Sequence, residues 1–260
     1  MSPMFPGGSG GPDDHAPFVR GLSTLLPVDI LLIGEQHDAP AHHVLERDAV
    51  TALAARSQLA ALVLEMAEDG RDTTALSTDA TQAQVRTALR WDEAAWPWED
   101  YAPAVMAAVR ASVPVLGANL PRARMKDAMA DVSLDAQLSA AALTAQRTAV
   151  RDGHCGLLPE TQIVPMTRIQ VARDRAMAQV AFKARRPGRT VLLIAGAAHV
   201  DRRQGVPQHL PSDASVRSLR LLATADADDV IESPVRHDAT WRTPPLPAKD
   251  YCAGVRPPSR

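Results

Sequence analysis

Two Gly-x-x-His segments, Gly34 to His37 and Gly196 to His199, each follow a short aliphatic run; Glu35 lies inside the first, and Glu65 stands near the end of another aliphatic run. Two imidazoles with one or two carboxylates make a nitrogen and oxygen donor set suited to Zn, Mn, Co or Fe. The metal ligands read from this pattern are Glu35, His37, Glu65 and His199. The same residues also suit metal-free chemistry, in which a histidine beside a carboxylate takes a proton from attacking water. Spacing does not choose between the two. His154, in the run Arg151-Asp-Gly-His-Cys155, is a fifth catalytic candidate, and Glu35 is the preferred base. In both Gly-x-x-His copies the glycine is expected to let the backbone turn sharply off its strand, with the histidine facing back over it.

Other residues carry bland readings beside chemical ones. His42 and His43 open a helical pattern, where packing or surface roles are common. Trp91, Trp96, Trp98 and Tyr101 can shelve a flat ligand or simply fill a core. Cys155 next to His154 resembles a nucleophile pair only superficially, because adjacent side chains diverge. Arg168, Arg173 and Arg175 punctuate a long helical stretch; they suit propionates or phosphates, or a solvated face.

These groups need a scaffold that gathers them. Val28 to Gly34, Leu59 to Met66, Val113 to Asn119 and Thr190 to Gly196 are short, nearly continuous aliphatic runs, as strands buried on both faces would be, and Ser215 to Leu222 is a weaker fifth. Helical periodicity fills the gaps: 40–57, 85–89, 98–111, 122–130, 135–151 and a long stretch over 161–185. This alternation predicts an α/β/α sandwich with a mainly parallel sheet flanked by helices. In such sheets, ligands bind beyond the carboxyl ends of the strands. Those ends deliver Glu35 and His37, Glu65, Asn119, and His199 to one edge. The expected division is a disordered segment over 1–22, one α/β domain over 23–225, and a Pro-rich tail over 226–260.

Bulk properties narrow the partners. The chain has 260 residues, 46% hydrophobic and 22% charged, enough for a sizeable core. A formal charge of −2 offers no basic field, so nucleic acid is not an expected partner and a small molecule is. Two cysteines, Cys155 and Cys252, are too few for a disulfide framework and read as free thiols. With no apolar run of membrane-spanning length and no signal core near Met1, the sequence as given reads as cytoplasmic.

Several blocks together carry a resemblance: Ile33-Gly-Glu-Gln-His-Asp-Ala-Pro-Ala-His-His43, Trp96-Pro-Trp-Glu-Asp-Tyr101, Asn119-Leu-Pro-Arg122, Gly153-His-Cys-Gly-Leu-Leu-Pro159 and Ile194-Ala-Gly-Ala-Ala-His-Val200. In this order they resemble the ChaN-like haem-binding proteins of bacteria, within a wider group that includes Tiki, TraB and erythromycin-esterase-like proteins. The resemblance implies haem as cofactor, a role in iron acquisition, a homodimer that sandwiches haem, and a cell-envelope or periplasmic location. Membrane association would require an anchor not visible in this sequence. Tiki-type relatives are metal-dependent proteases whose two Gly-x-x-His motifs match those here, which implies a divalent transition metal (Mn, Co, Zn or Fe) and hydrolysis as the alternative. For haem contact the resemblance and side-chain chemistry offer Tyr101, Trp98, His42, His43 and Arg168. As tyrosinate ligands for iron only Tyr101 and Tyr251 exist.

Overall fold

The structure is a computed structural model that describes residues 15–224 and 236–253. After α1 (His15–Ser23), strand and helix alternate as β1 (Ile30–Glu35), α2 (Pro40–Ala55) and β2 (Leu59–Glu68). Two helices follow, α3 (Gln82–Leu89) and α4 (Trp98–Arg110), before β3 (Val115–Asn119). Three more, α5 (Met125–Ala130), α6 (Ala140–Gly153) and α7 (Glu160–Lys183), precede β4 (Thr190–Gly196), β5 (Val216–Ala223) and β6 (Ala239–Thr243). The strands form one parallel sheet in the order β3-β2-β4-β1-β5-β6. The expected α/β sandwich is therefore observed. Among the described residues no helix is long and apolar enough to cross a membrane.

Alternation along the central strands builds both halves of the core. Leu31, Ile33, Leu192 and Ile194 pack with residues of α1, α2 and α4 on one face. Ile30, Leu32, Val191 and Leu193 pack on the other against Met177, Ala178 and Ala181 of α7. Successive side chains of a strand point to opposite faces, so one aliphatic run serves both layers. A third cluster joins Leu143 of α6 and Ala128 of α5 to Ile169 and Val171, extending the α7 side.

Two expectations are corrected. Ala239–Thr243, inside the stretch expected as a Pro-rich tail, is an edge strand paired in parallel with β5 through contacts such as Leu221 with Trp241. Its hydrophobic signal is short, and its prolines lie outside it, where they cost no ladder hydrogen bond. Cys155 and Cys252 are not free thiols: they form a disulfide across a sequence separation of 97, with Cα atoms 5.7 Å apart.

The motif glycines also act differently from the expected sharp turn. Neither Gly34 nor Gly196 has a positive φ, and both lie within strands. Their role is close packing. A Cβ on Gly34 would overlap Val200 Cγ2 and lie 2.9 Å from Ala197 Cα, while a Cβ on Gly196 would lie 2.8 Å from His37 Nε2 and 3.6 Å from Glu65 Oε2. Gly196→Ala is accordingly expected to push the His37 ring away from Glu65 and to cost about 1–3 kcal/mol through overpacking. A urea-unfolding midpoint unchanged from the wild type would contradict this.

Candidate functional site

The polar site straddles the carboxyl edge of the sheet. Glu35 ends β1 on the face covered by α2 and α4, where the Tyr101 hydroxyl donates to its Oε1 at 2.9 Å. Glu65, near the end of β2, meets His199 on the opposite, α7 side: Glu65 Oε1 is 3.3 Å from His199 Nε2. His199 Nδ1 in turn lies 2.6 Å from Asp174 Oδ1 of α7. Between β1 and β2 runs β4, and the missing side chain of Gly196 leaves the gap through which His37 spans the edge. His37 Nδ1 is 2.8 Å from Glu35 Oε1, and its Nε2 is 3.9 Å from Glu65 Oε2. The Gly196 amide donates to Glu65 Oε2 at 2.8 Å. Trp96 stands edge-on to the His37 ring at 4.8 Å and shields it.

Burial and charge act in opposition here. Burial pushes the Glu65 carboxyl up, yet the neighbouring imidazoles of His199 and His37 carry it well below the usual carboxylate range. Burial pulls His199 down, but Glu65 and Asp174 outweigh it and raise the imidazole to about 10. For Asp174 burial prevails over the His199 contact, and its pKa is raised. Partial burial pulls the half-exposed His37 down, but its hydrogen bond to Glu35 and the Glu65 charge outweigh it and its pKa is raised. The Glu35 carboxyl, pushed up by burial, is held down by the His37 hydrogen bond. Around Glu65 and His199 the ion pair sits in a dry setting, where losing one partner strands a charge.

Of the sequence candidates, Glu35, His37, Glu65 and His199 come together, but they are not equivalent. His37 and His199 both bring Nε2 toward Glu65, at 3.9 Å from its Oε2 and 3.3 Å from its Oε1. Glu35 and Asp174 sit behind the two rings, on their Nδ1 atoms, as orienting carboxylates do behind metal-bound imidazoles. His154 is elsewhere, at the carboxyl end of α6, with Nδ1 2.8 Å from Val150 O.

The candidates for haem contact are also dispersed. Tyr101 is only 2% exposed, and burial together with the Glu35 charge pushes its phenol far above the ordinary tyrosine range. Trp98 is buried and donates its indole N–H to Gln82. His42 takes the Gln36 amide proton on Nδ1 at 2.9 Å and reaches Thr243 with Nε2 at 3.0 Å, tying α2 to β6. His43 lies among Glu35, Glu46 and the Tyr101 ring. Arg168 makes a two-pronged bond to Asp135.

Asp174 and Glu46 were missed in the sequence. A signal for Asp174 existed: it shares a helical stripe with Val171, Met177, Ala178 and Ala181, all buried, so an acid there occupies a core position. Arg173 and Arg175 flank it and disguise it as part of a solvated face.

The buried neutral histidines give the protein an acid sensitivity. Burial lowers His42 and His237 to about 4. In the unfolded chain both return to roughly 6.5 and take up protons that the folded state refuses. Stability is therefore expected to fall as pH drops from about 6.5 to about 4, by on the order of 1–3 kcal/mol for each ring. Urea unfolding at about pH 7.5 and about pH 4.5 reads this. His237→Gln should shrink the difference, and a difference unchanged by that substitution would remove His237 from the explanation.

Comparison with known proteins agrees with this architecture. A solved structure of ChaN from Campylobacter jejuni, described by its cofacial haem binding, superposes with a TM-score of 0.66 at 21% identity, covering 84% of this chain and 88% of that one. The type III effector HopBA1 gives a TM-score of 0.49 at 16% identity, over 95% of this chain and all of that one. Among curated proteins none matches. Residues 22–210, most of the chain, match the family described as haem-binding uptake, Tiki superfamily, ChaN. By that match, the chain belongs to the ChaN family of the Tiki superfamily.

Proposed function

We propose that this protein binds haem for bacterial iron acquisition, and that haem sits on the surface beside the disulfide rather than in the polar site at the sheet edge. The observation that carries this reading is a mainly apolar cavity of about 710 Å³ lined by His154, Leu157, Leu158, Lys249, Tyr251 and the two disulfide cysteines. That volume falls within the range of pockets that hold cofactors, roughly 300–1,000 Å³. Leu157 and Tyr251 are exposed there, at 46% and 56%. His154 is one of the lining residues, and because Val150 O can only accept, Nδ1 carries the hydrogen and the lone pair of the neutral tautomer is on Nε2. Tyr251, whose hydroxyl donates to Asp38 at 2.8 Å, is the accessible phenol. Lys249, which also lines the cavity and lies 3.4 Å from Asp38, would supply a positive charge for a propionate. A second copy of the chain would close such a surface cavity, so the loaded form is proposed to be a homodimer.

An absorbance titration with haemin tests the reading. Saturable growth of a Soret band at a fixed stoichiometry is expected. A weak change that never saturates would end it.

The second reading, a metal-dependent hydrolase, is favoured by one arrangement: His199 backed by Asp174 and His37 backed by Glu35, both directed toward Glu65. His37, Glu65 and His199 would hold the ion, which supplies a water of lowered pKa. Metal binding would displace the proton from His199 Nε2, and Asp174 would keep the ring in the ligating tautomer. Glu35, bonded to His37 and Tyr101, is better placed to orient His37 than to act as the base. Chelator-treated protein reloaded with Mn, Co or Zn and assayed on peptides and esters tests this; failure to take up any of these ions would count against it.

A further inference from the structure

We propose that Glu35, His43 and Glu46 form a separate buried site for a divalent transition-metal ion, on the α2 and α4 side of the sheet. Glu46 is fully buried and Glu35 is 2% exposed, yet each has a side-chain oxygen with no hydrogen-bond partner: Glu35 Oε2 and Glu46 Oε1. Orphaned carboxylate oxygens in a dry interior are costly unless a proton or a cation meets them. Glu35 divides its work. Its Oε1 is taken by the Tyr101 hydroxyl and by His37, so only Oε2 points toward His43.

The imidazole completes the set. His43 Nε2 lies 3.1 Å from the His37 carbonyl oxygen, which can only accept, so Nε2 carries a hydrogen. In the neutral ring the lone pair is then on Nδ1. That atom is 3.2 Å from Glu35 Oε2 and 3.4 Å from Glu46 Oε2, and one donor atom from each residue falls within 4.8 Å of the others. Donors held about 2.0–2.1 Å from a tetrahedral ion lie roughly 3.3–3.4 Å apart. The two distances from His43 Nδ1 to the carboxylates already have nearly that spacing. Among the described residues no lysine or arginine forms an ion pair with Glu46, whose one charged partner is His43, while Glu35 is paired with His37 and His43, so a divalent cation would supply the charge that Glu46 lacks. Two oxygens and one imidazole nitrogen suit Zn, Mn, Co or Fe(II) better than Ca or a soft ion. The site uses the face of Glu35 turned away from His37, so it is distinct from the His37, Glu65 and His199 group.

The test uses the full chain, stripped with chelator and titrated with Co²⁺, with metal content measured after dialysis. Wild type and His199→Ala should each retain a Co²⁺ ion with the visible bands of a tetrahedral centre, whereas Glu46→Gln, close in volume, should weaken that ion at least ~100-fold. Anomalous scattering from wild-type crystals soaked in Co²⁺ provides a measurement that needs no variant, and a peak within bonding distance of Glu46 is expected. Retention of the ion by folded Glu46→Gln, or a peak only between His37 and His199, would overturn the proposal. A wild type that holds no Co²⁺ would overturn it too, leaving a shared proton as the occupant.

Discussion

His154→Ala is expected to lower haemin affinity by about 100-fold, the scale on which a metal site responds to loss of its supporting groups, while Tyr101→Phe should leave affinity unchanged. The two residues differ in access. His154 lines the cavity beside the disulfide and keeps an unshared pair on Nε2, whereas Tyr101 is sealed in the core with its hydroxyl committed to Glu35. Tyrosinate ligation also requires the phenol to give up its proton, and burial beside a carboxylate makes that harder for Tyr101. Tyr251→Phe separates two modes of binding. If Tyr251 ligates iron, the substitution abolishes the charge-transfer band of a phenolate complex; if His154 alone ligates, the spectrum persists with modest weakening. The measurement is the Soret titration on each variant. Retention of wild-type affinity by His154→Ala together with Tyr251→Phe would move haem away from this cavity altogether.

Cys155→Ala combined with Cys252→Ala is expected to cost about 2–5 kcal/mol of stability and to dismantle the haem seat. The bond closes a loop of 97 residues, and constraining a loop near 100 residues lowers unfolded-chain entropy by up to about 4.7 kcal/mol in the chain-entropy account. Its local consequence is sharper. Residues 244–253 contain no helix or strand, and Cys252 ties that segment to the end of α6, with Tyr251 and Lys249 on Asp38 as the other fasteners. Cutting the bond leaves exposed contacts to Asp38, which are weak in water. The wall made by Lys249, Tyr251 and Cys252 should then leave the cavity. Urea unfolding and haemin titration, each with and without a thiol reductant, read the two effects. Identical haemin binding in the reduced protein would show that this wall is dispensable.

The sheet and its polar edge were readable because their signals are local. Runs such as Ile30 to Ile33 and Val191 to Ile194 declare buried strands within a handful of residues, and the helical spacing between them dictates parallel crossovers. Once the strands are parallel, their carboxyl ends must share an edge, which is why Glu35, His37, Glu65 and His199 could be grouped without coordinates. The short strand β6 escaped because its few apolar residues stand among prolines, and its partner β5 alone makes it a strand.

What each of the gathered side chains does was settled only by tertiary contacts. Gly196 opens a gap for His37 because β4 runs between β1 and β2, and strand order is not written in any one strand. Asp174 becomes the partner of His199 because α7 covers that face of the sheet. Cys155 meets Cys252 across 97 positions, and His42 meets Thr243 across 201. Sequence determined which chemistry-bearing residues reach the edge, through periodicity and burial; three-dimensional packing decided which of their atoms face one another, because hydrogen bonds and ligand sets depend on distances of a few ångströms between segments far apart in the chain.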